Sequence, residues 1–154
     1  MLLCHSTHIV MTKEVAETEM HAAKRLQEAI RQETGLILPF SVGEVREGDL
    51  SLGIAKTLPE QTYEITIDEK GGQISGGDGA GVLYGVETFC QIVQQCGGIL
   101  PCVQIQDAPD MPNRGYYFDQ TRGRLLKLEE LKKIADRMCR YKSVSYTHLR
   151  AHET

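Results

Sequence analysis

Two prolines within one short segment constrain the possible folds of this chain most strongly. They lie in Asp107-Ala108-Pro109-Asp110-Met111-Pro112, a kind of segment that disfavours regular structure and ends the element before it. The 154 residues offer room for one ordinary domain, or for one domain and the beginning of another. We therefore predict a long front domain at residues 1–106, a linker at residues 107–113 and a separate part that begins at residue 114.

The front domain carries both helix and strand patterns. A long helix is predicted from Thr12, a suitable N-cap, to about Glu33, because apolar residues recur there at helical spacing. A second helix is indicated from Val82 to Val93, and the two glycines that follow at residues 97 and 98 end it. Strands are predicted at residues 6–11, 37–40, 49–54, 62–67, 73–75 and 103–105.

The segment around residue 70 indicates how the strands are arranged. Apolar and polar residues alternate over residues 63–67, and Lys70-Gly71-Gly72 separates this strand from the next one. A glycine-containing turn between two strands is typical of a β-hairpin, because glycine adopts positive φ easily. We predict an α+β domain in which two helices cover an antiparallel sheet.

The part after the linker is too small to form a core of its own. Its pattern predicts one strand, Gly115 to Asp119, and one helix, Leu128 to Tyr141. One strand and one helix cannot bury their apolar faces alone. Such a unit normally belongs to a parallel sheet or to a closed barrel.

Charge and hydropathy exclude several classes of function. The 17 basic and 21 acidic residues are spread along the chain and give a net charge of −4, so a nucleic-acid partner is not expected. A membrane-spanning helix needs about 20 consecutive apolar residues, and no such run is present. The first residues lack the features of a secretory signal, so we expect a cytoplasmic location by default.

The cysteines argue against both a disulfide framework and a zinc site. Their number is odd and no Cys-x-x-Cys motif occurs, so we expect free thiols. They are Cys4, Cys90, Cys96, Cys102 and Cys139.

Two other motifs resemble ligand sites but favour a structural interpretation. The run from Gly76 to Gly81 lacks the Gly-Lys-Ser/Thr ending of a phosphate loop, so we expect a close-packed turn between strand and helix. His148, His152 and Glu153 have metal-ligating side chains. They lie in a terminal stretch that we expect to be disordered, and we predict neither a metal nor a cofactor.

Several segments carry a family resemblance in the same order along the chain. The most specific is the glycine-containing helix Gly81-Val82-Leu83-Tyr84-Gly85-Val86-Glu87-Thr88-Phe89-Cys90-Gln91-Ile92. It follows Leu50-Ser51-Leu52-Gly53-Ile54 and Tyr63-Glu64-Ile65-Thr66-Ile67, and it precedes Ile105-Gln106-Asp107-Ala108-Pro109, Arg114-Gly115, Asp119 and Arg122. Together these segments resemble the accessory domain of family 20 glycoside hydrolases and the passage into their first barrel strand, over about residues 6 to 142.

The resemblance implies the fold and activity of the parent protein. In that family the accessory domain precedes a (β/α)8 barrel, so residues 114–142 would be the first strand and helix of a truncated barrel. The parent would be a β-N-acetylhexosaminidase that removes terminal N-acetylhexosamine from glycans. The mechanism is substrate-assisted, because the acetamido oxygen of the sugar attacks the anomeric carbon. No cofactor or metal is implied.

The resemblance also implies which residues contact the sugar. Arg114 matches an arginine that holds hydroxyls of the terminal sugar, a role suited to a guanidinium with several donors. Asp119 and Arg122 fall at the end of the first strand, where barrel enzymes build their sites. Structural ion pairs are the alternative for all three.

The catalytic pair of the family is absent from the part after the linker. The family uses an adjacent Asp-Glu pair at a later barrel strand. The only adjacent Asp-Glu in this sequence is Asp68-Glu69, beside the predicted hairpin turn, and we expect it to be solvated. We therefore assign no catalytic residue and expect the chain to be inactive.

Other families and another class of function remain as alternatives. O-linked N-acetylglucosaminidases and α-glucuronidases resemble this family in their front domain, but the former carry a Glu-Gly-Phe-Tyr-Gly run where Tyr116 to Arg122 stands here. The front domain could also work alone as a carbohydrate- or protein-binding module. From about Ser143 the family pattern stops, and Val144 to Thr154 resembles translated adapter sequence. We expect residues 143–154 to be a non-native tail.

Overall fold

The computed structural model describes residues 1–11, 17–119 and 125–149 of the chain. It contains two compact units, Met1–Pro109 and Asp110–Thr154, which we call the front unit and the rear unit. The proposed N-cap Thr12 lies outside the described residues.

The front unit contains a six-stranded sheet. Its strands are β1 (Ile9–Met11), β2 (Phe40–Val42), β3 (Leu50–Ile54), β4 (Tyr63–Ile67), β5 (Gly72–Gly76) and β6 (Val103–Asp107). They lie in the order β2-β1-β3-β5-β4-β6.

The sheet is mixed, so the antiparallel prediction is wrong for most of it. Strand β1 is parallel to both β2 and β3, and β3 is parallel to β5. The pairings of β4 with β5 and with β6 are antiparallel. The burial pattern of a strand reports which face is covered and not the direction of its neighbour. The long helix between β1 and β2 is the crossover that a parallel pair requires.

Two helices cover one face of this sheet. Helix α1 (Glu17–Thr34) packs along helix α2 (Gly79–Cys96), and both contact sheet strands. Alternate strand residues point into the core between helices and sheet, as the pattern over residues 63–67 predicts. The largest fully buried apolar side chains are Phe89, Ile9, Met11, Leu26, Ile30, Leu38, Leu50, Leu52, Ile65, Ile67 and Ile74.

Glycines in the first turns of α2 allow close packing. A Cβ atom at Gly81 would lie 2.3 Å from the Thr62 carbonyl oxygen, and one at Gly85 would lie 2.6 Å from Cγ2 of Ile74. The side chain of Asp78 caps the helix by accepting a hydrogen bond from the Gly81 amide at 2.7 Å. The expectation of a close-packed turn is confirmed, and a carboxylate of the chain itself occupies this helix N-terminus.

The rear unit is a strand-helix-strand crossover. Its elements are β7 (Gly115–Asp119), α3 (Leu128–Arg140) and β8 (Ser145–Leu149), and β7 and β8 are parallel. The predicted strand and helix are both present. The expectation of a disordered terminus is wrong for residues 145–149, because the β7 backbone pairs with this segment residue by residue. No residue described in the rear unit is buried.

None of the helices in the described part of the chain is long and apolar enough to cross a membrane.

Candidate functional site

Arg114 lies immediately before β7, and its side chain binds the backbone on two sides. Its Nε donates a hydrogen bond to the Lys142 carbonyl oxygen at 2.9 Å, and Nη1 donates to the carbonyl oxygen of Met111. Its own carbonyl oxygen accepts from the Val144 amide at 2.7 Å. These contacts fix the start of β7 against the segment that leads into β8, and they hold the guanidinium in one position.

Of the three predicted sugar-contacting residues, the structure describes Arg114 and Asp119, which lie at opposite ends of β7. Asp119 is the last residue of β7 and is half-buried. The five residues of the strand separate it from Arg114 by about 17 Å at the usual rise of an extended chain. Arg122 lies outside the described residues. The sequence-based hypothesis for this site therefore stays a prediction.

The Asp68-Glu69 pair belongs to the turn between β4 and β5. Asp68 Oδ1 accepts hydrogen bonds from the amides of Lys70 at 2.8 Å and Gly71 at 3.0 Å. Both acidic residues are exposed. The carboxylate of Asp68 stabilises the turn, which is the typical role of aspartate at such a position.

A pocket of 340 Å³ lies beside the start of β1 and β3 in the front unit. The Asp49 side chain, only 4% exposed, accepts hydrogen bonds from the His8 and Arg46 amides, each at 2.9 Å. Nδ1 of His8 lies 3.5 Å from the same carboxylate. The lining residues are His8, Ser41, Val42, Glu44, Arg46 and Asp49.

A second, smaller pocket of 170 Å³ also contacts Asp49. It is lined by Ser51, Thr66 and Gln73 from neighbouring strands, by Val45 and by the turn at residues 68–72. Sequence patterns did not predict either pocket, because both depend on the order and register of strands that are distant in the chain. The only sequence signal is the polar residue in alternate positions of β3, β4 and β5.

The groups whose pKa values are shifted do not line these two pockets. The Ser6 hydroxyl, 3.1 Å from the Cys4 sulfur, is the largest of the hydrogen-bonding contributions that lower the pKa of this exposed thiol. On α1, hydrogen bonds from Arg31 and Gln32 lower the pKa of Glu28 to about 2. Both effects are local and exposed to water. Within the described residues no group of three His, Cys, Asp or Glu side chains is arranged to hold a metal ion.

Comparison with known families assigns the front part of the chain. The family model of glycosyl hydrolase family 20, domain 2, matches residues 2–108. The chain belongs to glycoside hydrolase family 20. This match confirms the resemblance found in the sequence.

Relatives of this family 20 chain are considerably longer than it is. A beta-hexosaminidase of Porphyromonas gingivalis is 31% identical over 139 residues, which are 82% of this chain and 18% of that protein. A beta-hexosaminidase of Akkermansia muciniphila is 34% identical over 89 residues, which are 56% of this chain and 18% of that protein. The chain thus spans less than a fifth of the length of these relatives.

Solved structures show the same fold. The beta-hexosaminidase of Streptomyces plicatus, solved in complex with its product GlcNAc, has a TM-score of 0.80 and 23% identity. The similarity covers 96% of the family 20 chain and 30% of the Streptomyces chain.

Proposed function

We propose that this chain is the front part of a β-N-acetylhexosaminidase. Residues 1–106 would be its accessory domain, residues 107–113 the linker and residues 114–142 the first strand and helix of a (β/α)8 barrel. One observation carries the proposal: the similarity to the Porphyromonas beta-hexosaminidase covers 82% of the chain. The front unit holds only 109 of the 154 residues, so the similarity extends into the rear unit.

The form of the rear unit supports the barrel. Helix α3 follows β7, and residues 145–149, although they belong to the segment expected to be non-native, pair with β7 in the place of the next parallel strand. This is the repeating unit of a (β/α)8 barrel, in which further strands and helices would cover the apolar side chains. Tyr117 is 62% exposed and Leu128 is 65% exposed. A continued barrel gives these side chains partners.

The proposed reaction of the parent removes a terminal N-acetylhexosamine from a glycan. The acetamido oxygen attacks the anomeric carbon, an acid of the enzyme protonates the leaving oxygen, and a neighbouring carboxylate holds the acetamido group. The pair that performs these steps would follow the rear unit in the parent. Chain 1–154 has no adjacent Asp-Glu after the linker, so we propose that it is inactive.

Arg114, Asp119 and Arg122 are the proposed sugar contacts in the parent. The backbone contacts of Arg114 at Met111 and Lys142 support its role, because a guanidinium held in place loses little entropy on binding a hydroxyl. Asp119 would act from the carboxyl end of β7, where barrel enzymes place polar groups.

The test compares chain 1–154 with the full-length gene product on nitrophenyl N-acetyl-β-glucosaminide. We expect nitrophenol release from the full-length protein and none from chain 1–154. Arg114→Ala in the full-length protein should lower kcat/KM by roughly tenfold to a hundredfold, the effect of a lost charge-assisted hydrogen bond. Arg140→Ala, an exposed arginine of α3, is the matched control. Enzyme-like rates from chain 1–154, or an inactive full-length protein, would contradict the proposal.

A further inference from the structure

The sheet face opposite the helices in the front unit carries mainly polar residues, interrupted at β1 by the buried Val10. The strand register places Ser41, Val10, Ser51, Gln73, Thr66 and Gln104 in one row across the sheet. A neighbouring row contains Gly53, Ser75, Glu64 and Gln106. Strands lie about 4.8 Å apart, so each row presents side chains at regular short intervals. Apart from Val10, the residues with side chains in these rows are half-buried or exposed.

The two pockets of the front unit lie along this surface and share Asp49. One, of 340 Å³, is next to Ser41 and His8, and the other, of 170 Å³, is next to Ser51, Thr66 and Gln73. The buried Asp49 carboxylate holds the 43–49 loop between them through its hydrogen bond from the Arg46 amide. The surface therefore has two neighbouring depressions whose relative position is fixed by Asp49 and the 43–49 loop.

The chemistry of the lining favours a neutral ligand. Serine and threonine hydroxyls and glutamine amides both donate and accept hydrogen bonds, as sugar hydroxyls and acetamido groups do. Each depression has one cation and two carboxylates: Arg46 lies with Glu44 and Asp49 in one, and Lys70 lies with Asp68 and Asp49 in the other. The carboxylates of Asp49 and Asp68 already accept hydrogen bonds from backbone amides. An anion would meet the Asp49 carboxylate in both. Val42 and Val45, each more than half exposed, offer apolar contact to C–H groups.

We propose that this polar sheet face is a second glycan-binding surface, separate from the sugar contacts assigned to the barrel. Two consecutive neutral sugar units occupy the depressions on either side of Asp49. The choice of a glycan among neutral polar ligands rests on the proposed function, whereas the location rests on the sheet register and the pockets. Contacts are polar and shallow, so the dissociation constant is about 1–10 mM.

The test is ligand-observed saturation-transfer NMR of chain 1–154 with the disaccharide of two β-linked N-acetylglucosamine units. Gln73→Met removes the amide from the central strand and keeps the side-chain length. Gln94→Met changes an exposed glutamine of α2 and is the matched control. We expect saturable binding that Gln73→Met weakens about fivefold, the effect of one neutral hydrogen bond, and that Gln94→Met leaves unchanged.

Backbone amide shifts locate the site independently of the substitutions. The expected shifts are confined to residues around Asp49, Ser51 and Thr66. Absence of binding at 20 mM disaccharide (about twice the upper limit expected), shifts on the helices, or equal binding by Gln73→Met would each overturn the proposal. The assay has no hydrolysis step. Glycan binding by a chain whose full-length parent proves inactive would therefore support this surface while contradicting the proposed function.

Discussion

At the scale of single residues, Gly81 links a sequence motif to the packing of α2. The nearest atoms to an added Cβ belong to the backbone, with the Thr62 carbonyl oxygen at 2.3 Å. Backbone atoms cannot rotate away as a side chain can, so the whole helix start would have to shift. We expect Gly81→Ala to lower the free energy of unfolding by about 1–3 kcal/mol.

Urea denaturation followed by circular dichroism measures this effect. Gly98→Ala is the control, because a Cβ there meets only the Thr34 methyl group, at 3.6 Å, and no positive φ is involved. Equal stability of Gly81→Ala and Gly98→Ala would show that close packing against the Thr62 backbone does not require glycine at position 81.

The sequence predicts the role of a residue well when that residue contacts only its neighbours in the chain. The Asp68 carboxylate accepts hydrogen bonds within its own turn, so its structural role could be inferred from neighbouring residues alone. The Asp49 carboxylate bonds to the amide of His8, 41 positions away, and no local pattern predicts that contact. The pocket around it was missed for this reason.

At the scale of elements, a largely buried ion pair joins α1 and α2. Arg25 of α1 donates to the carboxylate of Glu87 on α2, and the Glu87 side chain is only 4% exposed. Without the arginine, the negative charge of Glu87 stays buried and loses a favourable interaction that offsets its loss of hydration. We expect Arg25→Ala to cost about 3 kcal/mol of unfolding free energy.

A matched pair on the surface of α1 provides the control. Arg31 and Glu28 are both about half exposed, so Arg31→Ala should cost less than about 1 kcal/mol. Adding Glu87→Gln to Arg25→Ala should recover part of the loss, because the buried group is then neutral. If Arg25→Ala were as mild as Arg31→Ala in thermal and urea unfolding, the pair would contribute little to helix packing.

The sequence predicts which helices and strands form better than it predicts how the strands pair. Strand β7 was predicted with its observed bounds, and α3 with one extra residue at its end, because periodicity and helix-ending signals are local. The predicted antiparallel arrangement is wrong for β1, β2 and β3, because their parallel pairing depends on the crossover through α1. The family resemblance covered this domain without indicating strand direction.

At the scale of the whole molecule, the two units differ in how well they bury apolar surface. The front unit encloses a core between sheet and helices. In the rear unit, exposed large apolar side chains include Met111, Tyr117, Leu125, Leu128 and Tyr141. Apolar surface of this kind promotes association in water.

Deletion of residues 110–154 should therefore raise solubility. We expect chain 1–109 to stay monomeric in light scattering at concentrations where chain 1–154 associates, and to keep its cooperative unfolding. Lower solubility of chain 1–109 would show that the rear unit protects the front unit instead.

We propose that the chain is the front part of a family 20 hexosaminidase whose barrel continues beyond the rear unit. Sequencing of the source locus across the codon for Lys142 tests it most directly. We expect a reading frame that continues through further strand-helix repeats and contains an adjacent Asp-Glu pair at a later strand. A frame that ends at Thr154 would contradict it and would favour a binding module that works alone.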